Sequence, residues 1–366
     1  MKNIFIPICM LVMLGLSACK AEYDPLTENI YIADAENMNS KRLTVDEEGG
    51  STSFTVRMSA PASTQVTATL GTDASVINEY NRQNGTNYLP LPEHLYSFTQ
   101  EEVTIEPGKL SAPPVKVNIK PFDDTVIDGD KYAIPVNISN VNGTSLLEAS
   151  SHLVILLDQV IVTNILKNAS FSPFKFPDET EAAKNLSSWT VEFLIRVDKM
   201  SLNQHLFWMD DGTNTNTVFG RFGEFDHPVD ELQIKFNNMP YYSPTKFQAN
   251  VWHHIAFSYD GSSFRIYKDG KLDLTVGVSA GIVVSWKNLT FKAKSISEYR
   301  LWSCVRTESE IANNMYAINP DTEHLELYWK VNEGEGTVIH DYTKHQNHTE
   351  ATGTWVPGQR FPENME

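Results

Sequence analysis

The chain has 366 residues, 41% of them hydrophobic and 20% charged, and a formal net charge of −17. That length suits about two domains, with apolar material enough for two packed cores. The acidic balance is spread along the chain rather than gathered in one tail, which argues against a partner held through a phosphate backbone, so no nucleic acid is expected.

At the start, Lys2 is followed by an apolar run from Ile4 to Leu16 that is too short to remain as a spanning helix, and then by Leu16-Ser17-Ala18-Cys19. Small residues before a cysteine resemble the lipobox of bacterial lipoproteins. The resemblance implies that 1–18 is a signal peptide that is removed and that Cys19 becomes a lipidated N-terminus, each buried CH2 adding about 0.8 kcal/mol of membrane affinity. An ordinary secretory signal with an incidental Cys19 is the alternative. Cys9 then leaves with the signal and Cys19 is consumed, so Cys304 stands alone, without a disulfide framework, and reads as a small buried side chain. Residues 19–29 are polar, contain Pro25 and suit a tether.

Residues 30–161 alternate apolar and polar side chains in short runs: Phe54-Val56-Met58, Val66-Ala68-Leu70, Val103-Ile105, Val115-Val117-Ile119, Ile134-Val136-Ile138 and Leu153-Ile155-Leu157. Turn residues separate them at intervals that predict a β-sandwich. One helix interrupts, capped by Asp73, with Val76, Ile77 and Tyr80 on its buried stripe and Asn84-Gly85 at its end. Tyr80, Tyr88 and Tyr96 read as packing residues rather than sugar platforms. The runs TLGTDASVINEYNRQNGTNYLPLPEHLYSF, VTIEPGKLSAPPVKVNI and YAIPVNISNVNG resemble the N-terminal immunoglobulin-like domain of unknown function in Bacteroidota surface lipoproteins. The resemblance implies a place, the outer membrane of the cell surface, and no chemistry.

Residues 165–362 make the second domain. Trp189, Val191, Phe193, Ile195 and Val197 alternate along a strand whose inner face is the core, and Leu325, Leu327, Trp329 and Val331 do the same near the end. Between them, Val251–Lys271 reads as a hairpin of a half-buried antiparallel sheet. Ile255, Phe257 and Tyr259 alternate on one strand, Phe264 and Ile266 on the next, with Asp260-Gly261 and Asp269-Gly270 as turns. Trp252, His254, these two turns and Glu298-Tyr299-Arg300-Leu301-Trp302 resemble the laminin-G-like, concanavalin A-like jelly roll. A helix over Thr307–Ile318 follows, with a Thr307/Glu310 capping box and Ile311, Met315 and Ile318 as its buried stripe. The expected fold class is all-β: an immunoglobulin-like sandwich with one short helix, then a concanavalin A-like jelly roll.

A sugar site needs an aromatic face beside amides, guanidinium or carboxylate groups that bridge neighbouring hydroxyls. Asn237, Asn238, Tyr241 and Tyr242 offer these in one loop, Trp208 and Arg221 are expected on neighbouring strands, and Trp286 at a rim. Hydrolysis would need two carboxylates at a set separation. The nearest stretch, Glu224-Phe225-Asp226-His227-Pro228-Val229-Asp230-Glu231, is interrupted by Pro228 and reads as a solvated loop. His253 and His254, adjacent on a strand, point to opposite faces and cannot share one zinc ion, while His340, His345 and His348 lack partners at zinc spacing. The tail through Asp341-Tyr342-Thr343 resembles the jelly-roll family's terminal pattern, which implies a structural calcium with Asp341 as a ligand, although Lys344 and His345 depart from it. The reading is a lipid-anchored, non-catalytic, glycan-binding surface protein. A protein-binding adhesin or assembly partner and a jelly-roll glycoside hydrolase are its alternatives.

Overall fold

The computed structural model describes residues 27–177, 183–213 and 217–363. Cys19 and the segment preceding it lie outside the described residues. The described chain is all-β, with two α-helices, and its apolar side chains gather into two main cores, one between Ile30 and Leu157 and one between Leu166 and Ala351.

In the first core a six-stranded sheet runs through Ser40–Val45, His152–Gln159, Tyr132–Asn142, Val66–Gly71 and Glu102–Ile105, with Leu89–Pro90 alongside. The run from Gly50 to Met58 does not stay in one sheet. Its first part, Gly50–Phe54, pairs with Val115–Ile119, and after Thr55 the Val56–Met58 part pairs with Asn29–Ile32. Phe54, Val56 and Met58, two residues apart on the extended chain, all point into one interior across that change of sheets. The Ala74–Asn84 helix begins where the Asp73 carboxylate accepts the Ser75 N–H at 2.8 Å and ends at Gly85, whose φ of 63° is left-handed. Ile77, with Tyr80 and Tyr88 edge to face at 6.1 Å, packs it onto the sheet, so these tyrosines are structural.

The second domain is two six-stranded sheets face to face. The front sheet orders Phe174–Lys175, Asn288–Phe291, Gln204–Asp210, Thr217–Phe222, Leu232–Phe236 and Met239–Tyr242. The back sheet orders Lys271–Gly277, Ser263–Lys268, His253–Tyr259, Trp189–Ile195, Ile296–Trp302 and Leu325–Trp329. Trp189 lies between them, edge to face on Phe236, Phe257 and Trp286. The expected hairpin is present, and Asp269 and Gly270, with φ of 49° and 77°, close its second turn between Lys268 and Lys271. Outside both sheets, the Ile161–Phe171 strand pairs antiparallel with Thr349–Phe361.

The back sheet departs from the half-buried expectation, because Trp189–Ile195, His253–Tyr259 and Ile296–Trp302 are buried on both faces. The helix Glu308–Asn313 and the segments around it cover the outer face. There Trp302 Nε1 donates to Glu192 at 2.7 Å, and Arg300 donates to the Asn314 carbonyl at 2.6 Å, lies 3.5 Å from Glu192 and pairs closely with Glu298. The Tyr328 hydroxyl donates to Glu298 at 2.5 Å. The helix stops short of the expected Ile318 for the same reason: Arg300 takes the Asn314 carbonyl while the Asn314 amide turns back to the Glu310 carbonyl at 2.9 Å. The Thr307/Glu310 capping box forms as expected. Cys304 is half-buried rather than buried, with burial pushing its thiol up.

Candidate functional site

Alternation on the front sheet decides which side chains leave the core. On Thr217–Phe222, Val218 and Phe222 enter it, so Phe219 and Arg221 face outward, and opposite them Gln233 and Lys235 do the same. Trp208 pairs with Phe219 in register, their rings 5.6 Å apart. The register also sets Gly220 opposite Phe207, whose ring lies where a Cβ would sit 2.3 Å away, so only glycine fits under it. Trp208, Thr217, Phe219, Arg221, Lys235 and Asn238 line a recess of about 340 Å³ on this face.

Each wall is held from behind. The Trp208 indole, 43% exposed, donates from Nε1 to Asp210 at 2.9 Å, and Asp210 in turn accepts the Asn288 amide at 2.7 Å. Arg221 donates to Gln233 at 2.7 Å and to Asn203 at 2.6 Å and pairs closely with Glu224, while Gln233 donates to Glu224 at 2.6 Å and to the Tyr242 hydroxyl at 2.7 Å. Lys235 makes no ion pair among the described residues. His205 stands edge-on to Phe219 at 4.8 Å, and burial, reinforced by Arg221 and Lys292, pushes its pKa down. The recess is therefore an indole face flanked by a guanidinium, an ammonium and an amide, suited to stacking a ring while bonding its hydroxyls.

Of the residues expected from sequence, Trp208, Arg221 and Asn238 come together here. Asn237 and Asn238, with φ of 49° and 61°, form the two-residue turn between Phe236 and Met239, so their first duty is the turn. Tyr241 and Tyr242 do not form one platform, because neighbours on a strand face opposite ways. Tyr241 packs on Phe264 at 5.3 Å against the core, and Tyr242 faces outward, stacked on His227 at 3.8 Å. Trp286 is not at a rim: only 2% exposed, it sits edge to face on Trp189. Thr217, Phe219 and Lys235 were not anticipated, although once Arg221 is set facing outward the two-residue period carries Phe219 with it.

The two glutamates of the Glu224–Glu231 loop are engaged locally. Glu224 is held by Arg221 and Gln233, and Glu231 by His227 and by Lys246 at 3.1 Å. Asp341 is a hydrogen-bond hub. One oxygen accepts the Tyr328 and Thr343 N–H groups at 3.0 Å each, and the other accepts the Thr343 hydroxyl at 2.9 Å and the Asn347 N–H at 2.8 Å. Four donors aimed at one carboxylate do not fit a calcium ligand, and no cluster of three or more His, Cys, Asp or Glu side chains suited to a metal occurs among the described residues. His253 bonds Asp269 at 2.9 Å while His254 faces Glu192 at 3.3 Å, on opposite sides of their strand.

A family model described as an N-terminal domain matches residues 25–145, and the concanavalin A-like lectin/glucanases superfamily model matches residues 168–312. Among solved structures, a Bacteroides ovatus protein provisionally described as carbohydrate binding is 24% identical, covering 92% of this chain and 100% of that one with a TM-score of 0.60. EndoBT-3987 of Bacteroides thetaiotamicron, solved with a Man5GlcNAc product, is also 24% identical, but over 36% of this chain and 30% of its own, with a TM-score of 0.29. A heptameric pentraxin of Limulus polyphemus is 12% identical over 52% of this chain and 95% of that one, with a TM-score of 0.35. No curated protein matches.

Proposed function

We propose that this chain, which joins an N-terminal domain to a concanavalin A-like domain, binds glycans without cleaving them through the outward face of its front sheet. The observation that carries the reading is the recess itself, an exposed indole pinned by Asp210 and flanked by Arg221, Lys235 and Asn238. The lectin-like fold supports it, as does the local pairing of Glu224 and Glu231, which leaves neither free to face a second acid across the recess. Affinity gels with the full chain against a panel of host and dietary polysaccharides test it. Retardation by at least one is expected, and uniform mobility with capture of polypeptide instead would replace it with the adhesin reading. Reducing-end release from a retained polysaccharide would show an enzyme.

The anchoring part of the reading rests on the sequence of residues 2–19: basic Lys2, the apolar run from Ile4 to Leu16 and Leu16-Ser17-Ala18-Cys19. Cys19 carries the lipid, the first domain spaces the lectin-like domain from the bilayer, and the protein stands on the outer membrane facing outward. Incorporation of a labelled fatty acid into the wild-type chain and its loss in Cys19→Ala are expected; equal labelling of both would refute it.

A further inference from the structure

A second cleft, of about 320 Å³, lies where the two domains meet, lined by Arg42, Tyr88, Lys131 and Asp158 from the first and by Asn313 and Tyr316 from the second, among others. Its walls are fixed by the domain contact beside it. The Gly129 backbone presses so closely on Ile318 that a Cβ there would fall 2.2 Å from it, Asn319 donates to Asp130 at 3.2 Å, Lys330 lies 3.7 Å from Asp128, and Arg360 pairs with Glu47 at 3.1 Å. The cleft thus exists before any ligand arrives, at the size and in the interdomain position that ligand sites commonly take.

The charge within it is unbalanced. Arg42 is matched by Asp158 at 2.7 Å, but Lys131 has no carboxylate within ion-pair reach among the described residues. Its surroundings lower its pKa, chiefly through burial and also through Arg42 and Arg300, against the pull of Asp158. An ammonium half out of water with no carboxylate in direct contact is a place where an incoming anion gains more than it would on the open surface. Tyr316, half-buried with one face stacked on Phe361, adds an aromatic ring to the wall, and the half-buried Asn313 amide offers bonds to hydroxyls.

We propose that this interdomain cleft is a second binding site, independent of the front-sheet recess, for a carboxylate-bearing sugar, with Lys131 taking the carboxylate. Calorimetric titration of the full chain with glucuronate, with a glucuronate-terminated disaccharide and with glucose tests it. At least one acidic probe is expected to bind and glucose not to. Tighter binding of the disaccharide would mark a polymer end as the source, and equal binding a free sugar acid. Lys131→Gln should weaken the acidic probe at least tenfold. Asn313→Trp, which fills the cleft from an accessible position, should abolish binding even if Lys131→Gln misfolds. Trp208→Ala should leave it unchanged, which separates this site from the front-sheet one. No binding of either acidic probe, glucose bound equally well, or an affinity indifferent to both cleft substitutions would overturn the proposal.

Discussion

Alanine at position 208 is expected to weaken binding to any retained glycan by about thirtyfold, roughly 2 kcal/mol, the scale on which truncating a central aromatic anchor costs an interface. The indole is the exposed ring of the recess, and its orientation is not free: the bond from Nε1 to Asp210 holds the face outward before a sugar arrives, so less ordering entropy is lost on binding. Trp208→Phe keeps a ring but loses that bond and should fall between the two. The fold should be indifferent, because Trp208 faces solvent while its neighbours Phe207 and Met209 supply the core contacts of the strand. Dissociation constants from affinity gels, beside melting curves of the same variants, provide the measurement. Unchanged retention in Trp208→Ala would remove the recess from consideration as the glycan site.

Replacing Arg300 by methionine should cost the second domain about 3–5 kcal/mol, among the largest effects of a single substitution, because it leaves Glu192 and Glu298 buried without their shared cation. Burial alone would raise the Glu192 pKa. Arg300 and His254 more than offset it and bring the value down to about 2, whereas for Glu298 burial prevails and the value rises. The sign for Glu192 follows: its pairing adds stability at neutral pH, and that contribution fades as the pH falls from the ordinary 4.5 towards about 2. Glu298 acts in the opposite sense, since its ionisation is what the fold resists. Urea unfolding monitored by tryptophan fluorescence should show the domain's midpoint falling in Arg300→Met, with much of the loss recovered when Glu192→Gln and Glu298→Gln are added. A midpoint that does not move would mean that the carboxylates find water or other partners.

Much of the architecture could be read from local pattern. Trp189, Val191 and Phe193 announce an inner face by alternation, Asp269-Gly270 a tight turn, and Thr307 with Glu310 a helix start, because each depends on residues close in sequence. The outer face of the back sheet is not legible locally, because His254, Ala256 and Ser258 read as the open side of a half-buried sheet until the Glu308–Asn313 helix and its neighbouring segments are laid over them. Trp286 looked like a rim residue for a similar reason, since its partner Trp189 lies far away along the chain. For the front-sheet site, Trp208, Arg221 and Asn238 were legible as residue types, but the two-residue turn at Asn237-Asn238 was not recognised. That turn reverses the chain into the paired strand Met239–Tyr242, along which the two-residue period sends Tyr241 and Tyr242 to opposite sides. The interdomain cleft has no local signature, because Arg42 and Lys131, far apart in sequence, meet only in the folded first domain, and Asn313 joins them only where the second domain packs on it.

The pairing of Ile161–Phe171 with Thr349–Phe361 bears on how the molecule is made. During synthesis the first domain has all of its strands by the time Gln159 emerges and can condense at once. The strand that opens the second must wait, without its ladder partner, until nearly two hundred further residues deliver it, and a closure of that span is entropically slow. Through that interval the unpaired strand is open to mispairing, which is where a holdase that recognises bare strands would act.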